Sequence, residues 1–332
     1  MSLEEFMSRP LCLRSLLFVV IAAFACASAM RAEAQTASVH RVRVAVLDFG
    51  ESATGRRVSE TLASALASSP ASGESEKAET KINVLDRDLA SVAARGSGYT
   101  GLLNLSLQDA RNLGAAIGCD FFIAGEAQTL RRAPAAAPAY HEAYASIFIV
   151  SARTGRLVAW ERPSFEAATP EQADAALVSE LSKRARTSYA ATILEAQSKE
   201  ATERRAQLEQ ATDVVTFEDL SKDEEASPEE SRMRAPQPYR RLRPVYTNEA
   251  ARAEIEATVD VLVDIDAEGE VSRVEVARWA GYGLDESVLS IVRRLHFRPA
   301  MREGSPVPVR VLLRYNFRRP PKTDRQAQQD KR

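Results

Sequence analysis

Cysteine is scarce. The 332-residue chain has three, and two of them, Cys12 and Cys26, fall near its start. Only Cys119 remains in the body of the chain, so no disulfide framework is needed to hold the fold. A lone cysteine opening an apolar strand is most often a small core residue. A surplus of either charge is also lacking. Lysine and arginine number 44 against 46 acidic residues, which leaves nothing to steer the chain toward nucleic acid. The three histidines, His40, His141 and His296, are scattered, and none has a second ligand at metal-binding spacing. No GxSxG nucleophile context occurs. The sequence therefore offers no catalytic, cofactor-binding or metal-ligating residues, and it does not read as an enzyme.

Long apolar runs are missing as well. The nearest, residues 16–29, is shorter than the ~20 residues of a spanning helix. Arg9 and Arg14 flank it, and Ala32-Glu33-Ala34 forms an A-x-A cleavage site before Gln35. Residues 1–34 thus read as a signal peptide or, if uncleaved, an N-terminal membrane anchor.

Residues 39–168 read as an α/β domain. Strands are expected over 41–49, 81–86 and 119–125, helices over 56–68 and 107–117, and a closing hairpin of 140–151 with 156–165. Two phosphate-loop lookalikes lie inside it. The loop from Gly50 to Arg57 follows a strand and precedes a helix, but Arg56 and Arg57 stand where a phosphate loop needs Lys and Ser/Thr. Glu51 adds negative charge there, and Ser52 or Thr54 is expected to cap the helix. Gly96, Gly98 and Gly101 spell GxGxxG behind a helical stretch, which is the wrong context for a dinucleotide.

Residues 170–213 lack glycine and are rich in Ala, Glu, Arg and Gln, the composition of a long helix. Its first half carries an apolar stripe, Leu177, Leu181, Ala185, Tyr189 and Ile193, expected to pack on the α/β domain. The second half is polar nearly all round and is expected to project into solvent. An acidic linker, 214–235, follows with Glu218, Asp219, Asp223, Glu224, Glu225, Glu229 and Glu230, and a run of arginines comes next. Residues 319–332 read as a disordered polar tail.

The last domain, 236–318, is the most specific. Val259, Val261, Val263 and Ile265 alternate as in a half-buried strand, Gly269 turns the chain, and Val271, Val274 and Val276 continue into a second strand. Leu284 and Asp285 open a helix that ends by Pro299, and a strand from Val307 to Phe317 closes the unit. The ordered set Pro244, Tyr246, Ala250, Val259, Gly269, Gly281 through Asp285, Phe297-Arg298-Pro299-Ala300, Gly304 and Phe317 resembles the C-terminal domain of the TonB family, periplasmic energy transducers of Gram-negative bacteria. Thr247 and Ala257 depart from it, standing where that family usually has proline and glycine. The long Pro-rich spacer of the family is also missing. With the run VAVLDF, a strand followed by LDR, the run LGAAIGCDFFIAG and a strand pair around Thr154-Gly155-Arg156, the α/β domain is loosely similar to TolB N-terminal regions and to curli-secretion and penicillin-binding-protein-activator lipoproteins, which are envelope binding modules.

The expected fold is α+β: a TonB-like ββαβ domain with an antiparallel sheet, an N-terminal α/β domain and a long helical connector. The resemblance implies a periplasmic location, with anchoring in the inner membrane if the N-terminal segment is retained. It implies docking by β-strand addition to an outer-membrane TonB-dependent receptor or another envelope protein. A retained anchor would add an inner-membrane motor complex as a partner and energy transduction for transport. The alternative is a secreted two-domain scaffold without energy coupling. The residues it assigns to partner binding are Val309, Val311, Leu313 and Tyr315 on the closing strand, with Tyr239 and Tyr246 in the entry segment.

Overall fold

The computed structural model describes residues 40–69, 80–134, 138–209, 218–219 and 233–319. The signal peptide or anchor, nearly all of the acidic linker, residues 210–213 and the tail beyond Arg319 lie outside the described residues.

The α/β domain contains β1 (His40–Val46), α1 (Ala53–Ala67), β2 (Thr80–Val84), α2 (Arg87–Gly96), α3 (Leu107–Ile117), β3 (Phe121–Arg132), β4 (Tyr140–Ser151), β5 (Leu157–Glu161) and β6 (Ser164–Ala167). The strands form one sheet in the order β2-β1-β3-β4-β5, with β6 also on β4. β1 and β3 run parallel, whereas β4 pairs antiparallel with β3, β5 and β6. The expected 156–165 strand is split, because the chain steps at Arg162 and Pro163 and returns to β4 as a second strand. Proline has no N–H to continue a ladder.

Alternation along the strands sends apolar side chains to both faces. Val42, Val44, Val46, Phe121, Ile123, Ile147 and Ile149 face one core, and Ala45, Leu47, Phe122, Phe148 and Val150 face the other. A sheet buried on both sides needs covering elements on both. The first face takes α1 and the connector. The second takes α2, α3 and the C-terminal domain.

The connector is α4 (Pro170–Arg184), a π-helical turn (Ala185–Tyr189) and α5 (Ala190–Glu209). Its predicted stripe is buried throughout: Leu177, Leu181, Ala185 and Ile193 have no exposure, and Tyr189 has 2%. The π turn has a reason in this spacing. Residues four apart advance about 40° past a full turn of a 3.6-residue helix. The four such steps from Leu177 to Ile193 would carry the stripe off the sheet, and one wider turn takes up the drift. Contrary to the expected projection into solvent, the middle of α5 is tied down. Arg153 pairs with Glu200 at 2.8 Å and Thr154 donates to it at 3.1 Å, while Arg156 reaches Glu203 at 3.5 Å.

The phosphate-loop lookalike serves the same contact. Ser52 caps α1 by accepting from the Gly55 N–H at 2.8 Å. Arg57, far from binding phosphate, pairs with the buried Asp174 of α4, which also accepts from Thr129 at 3.0 Å. Cys119 is buried, and burial pushes its thiol pKa up to about 12.

The C-terminal domain contains α6 (Asn248–Arg252), β10 (Ala257–Ile265), β11 (Val271–Arg278), α7 (Leu284–Val292) and β15 (Val309–Phe317). Short strands fill the rest. The linker supplies β7 (Glu218–Asp219) and β8 (Met233–Arg234), and the entry segment supplies β9 (Gln237–Pro238). The stretch between α7 and β15 adds β12 (Phe297–Arg298), β13 (Ala300–Arg302) and β14 (Ser305–Val307). Its main sheet has the order β11-β10-β15-β7. Two cross-strand ion pairs fix the β10–β15 register: Asp264 with Arg310 at 2.6 and 2.8 Å, and Asp260 with Arg314 at 2.8 and 3.2 Å.

Leu177 is the central test of connector docking. Leu177→Ala is expected to cost about 3 kcal/mol in urea denaturation, whereas a connector standing off the sheet would show almost no change.

Candidate docking site and its platform

The segment Trp279–Asp285 anchors the C-terminal domain on the α/β sheet. Trp279 is 1% exposed, stacks on Phe148 with ring centroids 5.5 Å apart, and donates its indole N–H to the Gly155 carbonyl at 3.1 Å. Tyr282 lies against Trp160 at 4.8 Å and edge-on to Phe148 at 5.8 Å. Such pairs add about 0.5–1.5 kcal/mol each beyond area burial. Gly281 makes the approach possible, and Gly155 shapes the receiving turn within the α/β domain. Gly281 has φ +74°, and a Cβ there would stand 2.6 Å from the Phe148 ring and 2.9 Å from Trp160. Gly155 has φ +75°, and a Cβ there would meet the Leu107 carbonyl oxygen at 2.1 Å.

Asp285 holds this segment from within by accepting from the Ala280 N–H at 2.9 Å and the Gly281 N–H at 2.7 Å. Burial raises its pKa from 3.8 to about 6, against the pull of those two donors. Polar contacts frame the aromatic centre. Asn104 donates to the Thr258 carbonyl at 2.9 Å and accepts from the Thr258 N–H at 3.1 Å. Arg278 donates to the Asn104 carbonyl at 2.9 Å, and Arg156 pairs with Glu275 at 2.7 Å. Thr247, the departure from the usual proline, caps α6 and donates its hydroxyl to the Tyr282 carbonyl. A proline could do neither.

β15 is the candidate docking strand. One edge pairs with β10 along its whole length, from Ala257 with Phe317 to Val309 with Ile265. On the other edge Val309 and Arg310 pair in parallel with Glu218 and Asp219 of β7. Beyond them, five successive residues, 313–317, line a groove of about 530 Å³. Neighbouring strand residues point to opposite faces, so a groove touched by all five faces the strand's backbone edge.

The six residues assigned to partner binding are placed as follows. Val309 is fully buried, with its edge taken by β7. Val311, Leu313 and Tyr315 are half-buried and pack toward the core, and Leu313 and Tyr315 also line the groove. Tyr239 is 64% exposed, with the Arg298 guanidinium 5.8 Å from its ring centroid. Tyr246 is half-buried and donates its hydroxyl to the Ile255 carbonyl at 2.7 Å, beside Phe317. It ties α6 to β10. His296 lies exposed and bonds Glu270 at 2.8 Å.

Sequence reading missed Asn104, Gly155, Trp160 and Trp279 as interface residues. Their contacts join positions more than a hundred residues apart, and no local periodicity marks them. That both tryptophans of the chain stand here was the available signal. Among the described residues no group of three or more His, Cys, Asp or Glu could hold a metal, and no helix is long and apolar enough to cross a membrane.

The C-terminal domain is thus seated on the α/β sheet. Residues 243–318 match the family described as Gram-negative bacterial TonB protein C-terminal, so the chain carries a TonB C-terminal domain there. Domains of this family are non-enzymatic interaction domains of envelope proteins. Among solved structures, the TonB C-terminal domain of Pseudomonas aeruginosa is 23% identical, with a TM-score of 0.24; the match covers 28% of this chain and all of that one. A hypothetical protein of Chlamydia trachomatis is 14% identical over 44% of this chain and 96% of its own, with a TM-score of 0.31. A lipoprotein of Neisseria meningitidis is 10% identical over 49% and 99%, with a TM-score of 0.24. No curated protein matches the chain.

Two predictions follow from the anchor. Gly281→Ala is expected to cost about 2–3 kcal/mol and to red-shift tryptophan emission, because Trp160 and Trp279 are the only tryptophans. Unchanged emission would place the two rings outside a shared interface. For Asp285, folding raises the pKa, so the native state holds the proton more tightly. The group's contribution is full below about pH 4 and is lost as the pH rises through 6. In denaturation from pH 4 to 7, the stability of wild type relative to Asp285→Asn is expected to fall as the pH rises; a flat difference would contradict this.

Proposed function

We propose that this protein is a periplasmic docking protein. Its TonB C-terminal domain presents the β15 edge to an extended segment of an outer-membrane receptor or another envelope protein. The observation that carries this reading is the groove along residues 313–317, where a strand edge faces an open space large enough for a peptide backbone. Strand addition draws affinity from main-chain hydrogen bonds, so it needs an accessible edge before it needs particular side chains.

The platform favours a fixed adapter over a flexible lever. The Trp279–Asp285 segment, the Asn104 contacts and the Arg156–Glu275 pair hold the docking domain against the α/β sheet. A transducer that reaches across the periplasm needs a long, extended tether, and here the domain is packed on its own chain. Energy coupling therefore belongs to the partner machinery, if to anything, and this chain supplies a positioned binding edge.

The test is titration of the full chain with peptides from the N-terminal segments of its host's outer-membrane receptors, with amide hydrogen exchange as the readout. Protection confined to residues 311–317 is expected. Protection in the α/β domain alone, or binding that leaves β15 amides unchanged, would overturn the reading.

A further inference from the structure

The groove beside β15 has a second wall, and its chemistry specifies the partner. Arg240, Arg241 and Arg243 line it together with residues 313–317, and among the described residues no carboxylate lines it. The adjoining cleft, of about 710 Å³, is lined by Arg240, Arg293, Arg294 and His296, again with no carboxylate among the described residues. In a chain whose charges nearly balance, this is a marked local excess. Arg240, Arg241, Arg243, Arg293 and Arg294 are exposed. The cross-strand arginines of β15 are engaged with Asp260 and Asp264, but these five make no ion pair with any described residue. The entry segment holds their backbone in place: Tyr239 N–H donates to the His296 carbonyl at 2.9 Å, and Val245 N–H donates to Ser287 at 2.8 Å.

From this geometry we infer that the groove takes an acidic extended polypeptide, paired by its backbone to residues 313–317 while its carboxylates face the arginine wall. The inference rests on the strand-addition reading above and adds the partner's chemistry to it. Two observations favour a polypeptide over an anionic lipid surface. The groove exposes a strand's backbone edge, which gives a peptide a ladder of hydrogen bonds and gives a lipid headgroup nothing comparable. The same edge, at Val309 and Arg310, is already paired with two carboxylate-bearing residues, Glu218 and Asp219. An acidic strand on this edge is thus compatible with the fold, and the arginine wall lies further along it. Exposed arginines at a rim act chiefly through long-range attraction and association rate, so recognition should weaken as salt rises.

The probe is a fluorescent peptide alternating glutamate with valine, followed by anisotropy on the full chain. Expected are saturable binding, roughly tenfold weakening between low and high salt, and a similar loss in the Arg240→Ala, Arg241→Ala, Arg243→Ala triple variant. The corresponding lysine variant should retain most of the binding, which separates charge from fold. Equal affinity for a glutamine-for-glutamate peptide would overturn the proposal, and so would an unaffected alanine variant. Arginine-dependent binding to phosphatidylglycerol vesicles with no binding of the peptide would also overturn it, in favour of a lipid surface. A peptide N-methylated at alternate amides tests the underlying reading separately. If it binds as tightly as its parent while acid preference persists, strand addition fails and acidic recognition stands.

Discussion

The burial of Trp279 and Tyr282 between the two domains is the contact on which the rest depends. It makes the TonB C-terminal domain part of a larger body. Phe148 and Trp160 form the receiving surface on the α/β sheet, and Gly281 removes the side chain that would keep the aromatic rings apart. The Ala280 and Gly281 amides would be costly to bury without a partner, and the Asp285 carboxylate supplies one. Without this segment, α2 and α3 and one face of the main sheet would lack part of their cover.

That arrangement decides which edges of the C-terminal sheet are offered. β11 lies on the side of the platform, where Arg156 and Asn104 engage its end. β15 lies at the other side of the sheet, past β10, with its first two residues paired to β7. The length without a strand partner among the described residues runs beside the arginine-bearing entry segment. The location of the groove follows from the anchoring as much as from the fold of the domain itself.

Much of this was legible in the sequence. The residues 140–151 and 107–117 are strand and helix as their periodicity indicates, and the five-residue connector stripe is buried as spaced. The C-terminal motif carried its fold because each marked position has a local task, such as Gly269 at φ +88° in the turn and Asp285 capping its own loop. The π turn was hidden although its cause, a strict spacing of four, was in plain view. The binding of Asn104 to Thr258 was not readable, since one amide side chain meets one backbone position 154 residues away. The capture of Val309 and Arg310 by the linker was equally hidden, because two acidic residues carry no strand signal of their own.

The central claim is that the TonB C-terminal domain is held by its own α/β domain and does not swing on a tether. Backbone amide relaxation by nuclear magnetic resonance tests it most directly. The account predicts a single rotational correlation time shared by amides of β3, β4, β10 and β15. A distinctly shorter time for β10 and β15 than for β3 and β4 would show independent tumbling and contradict it.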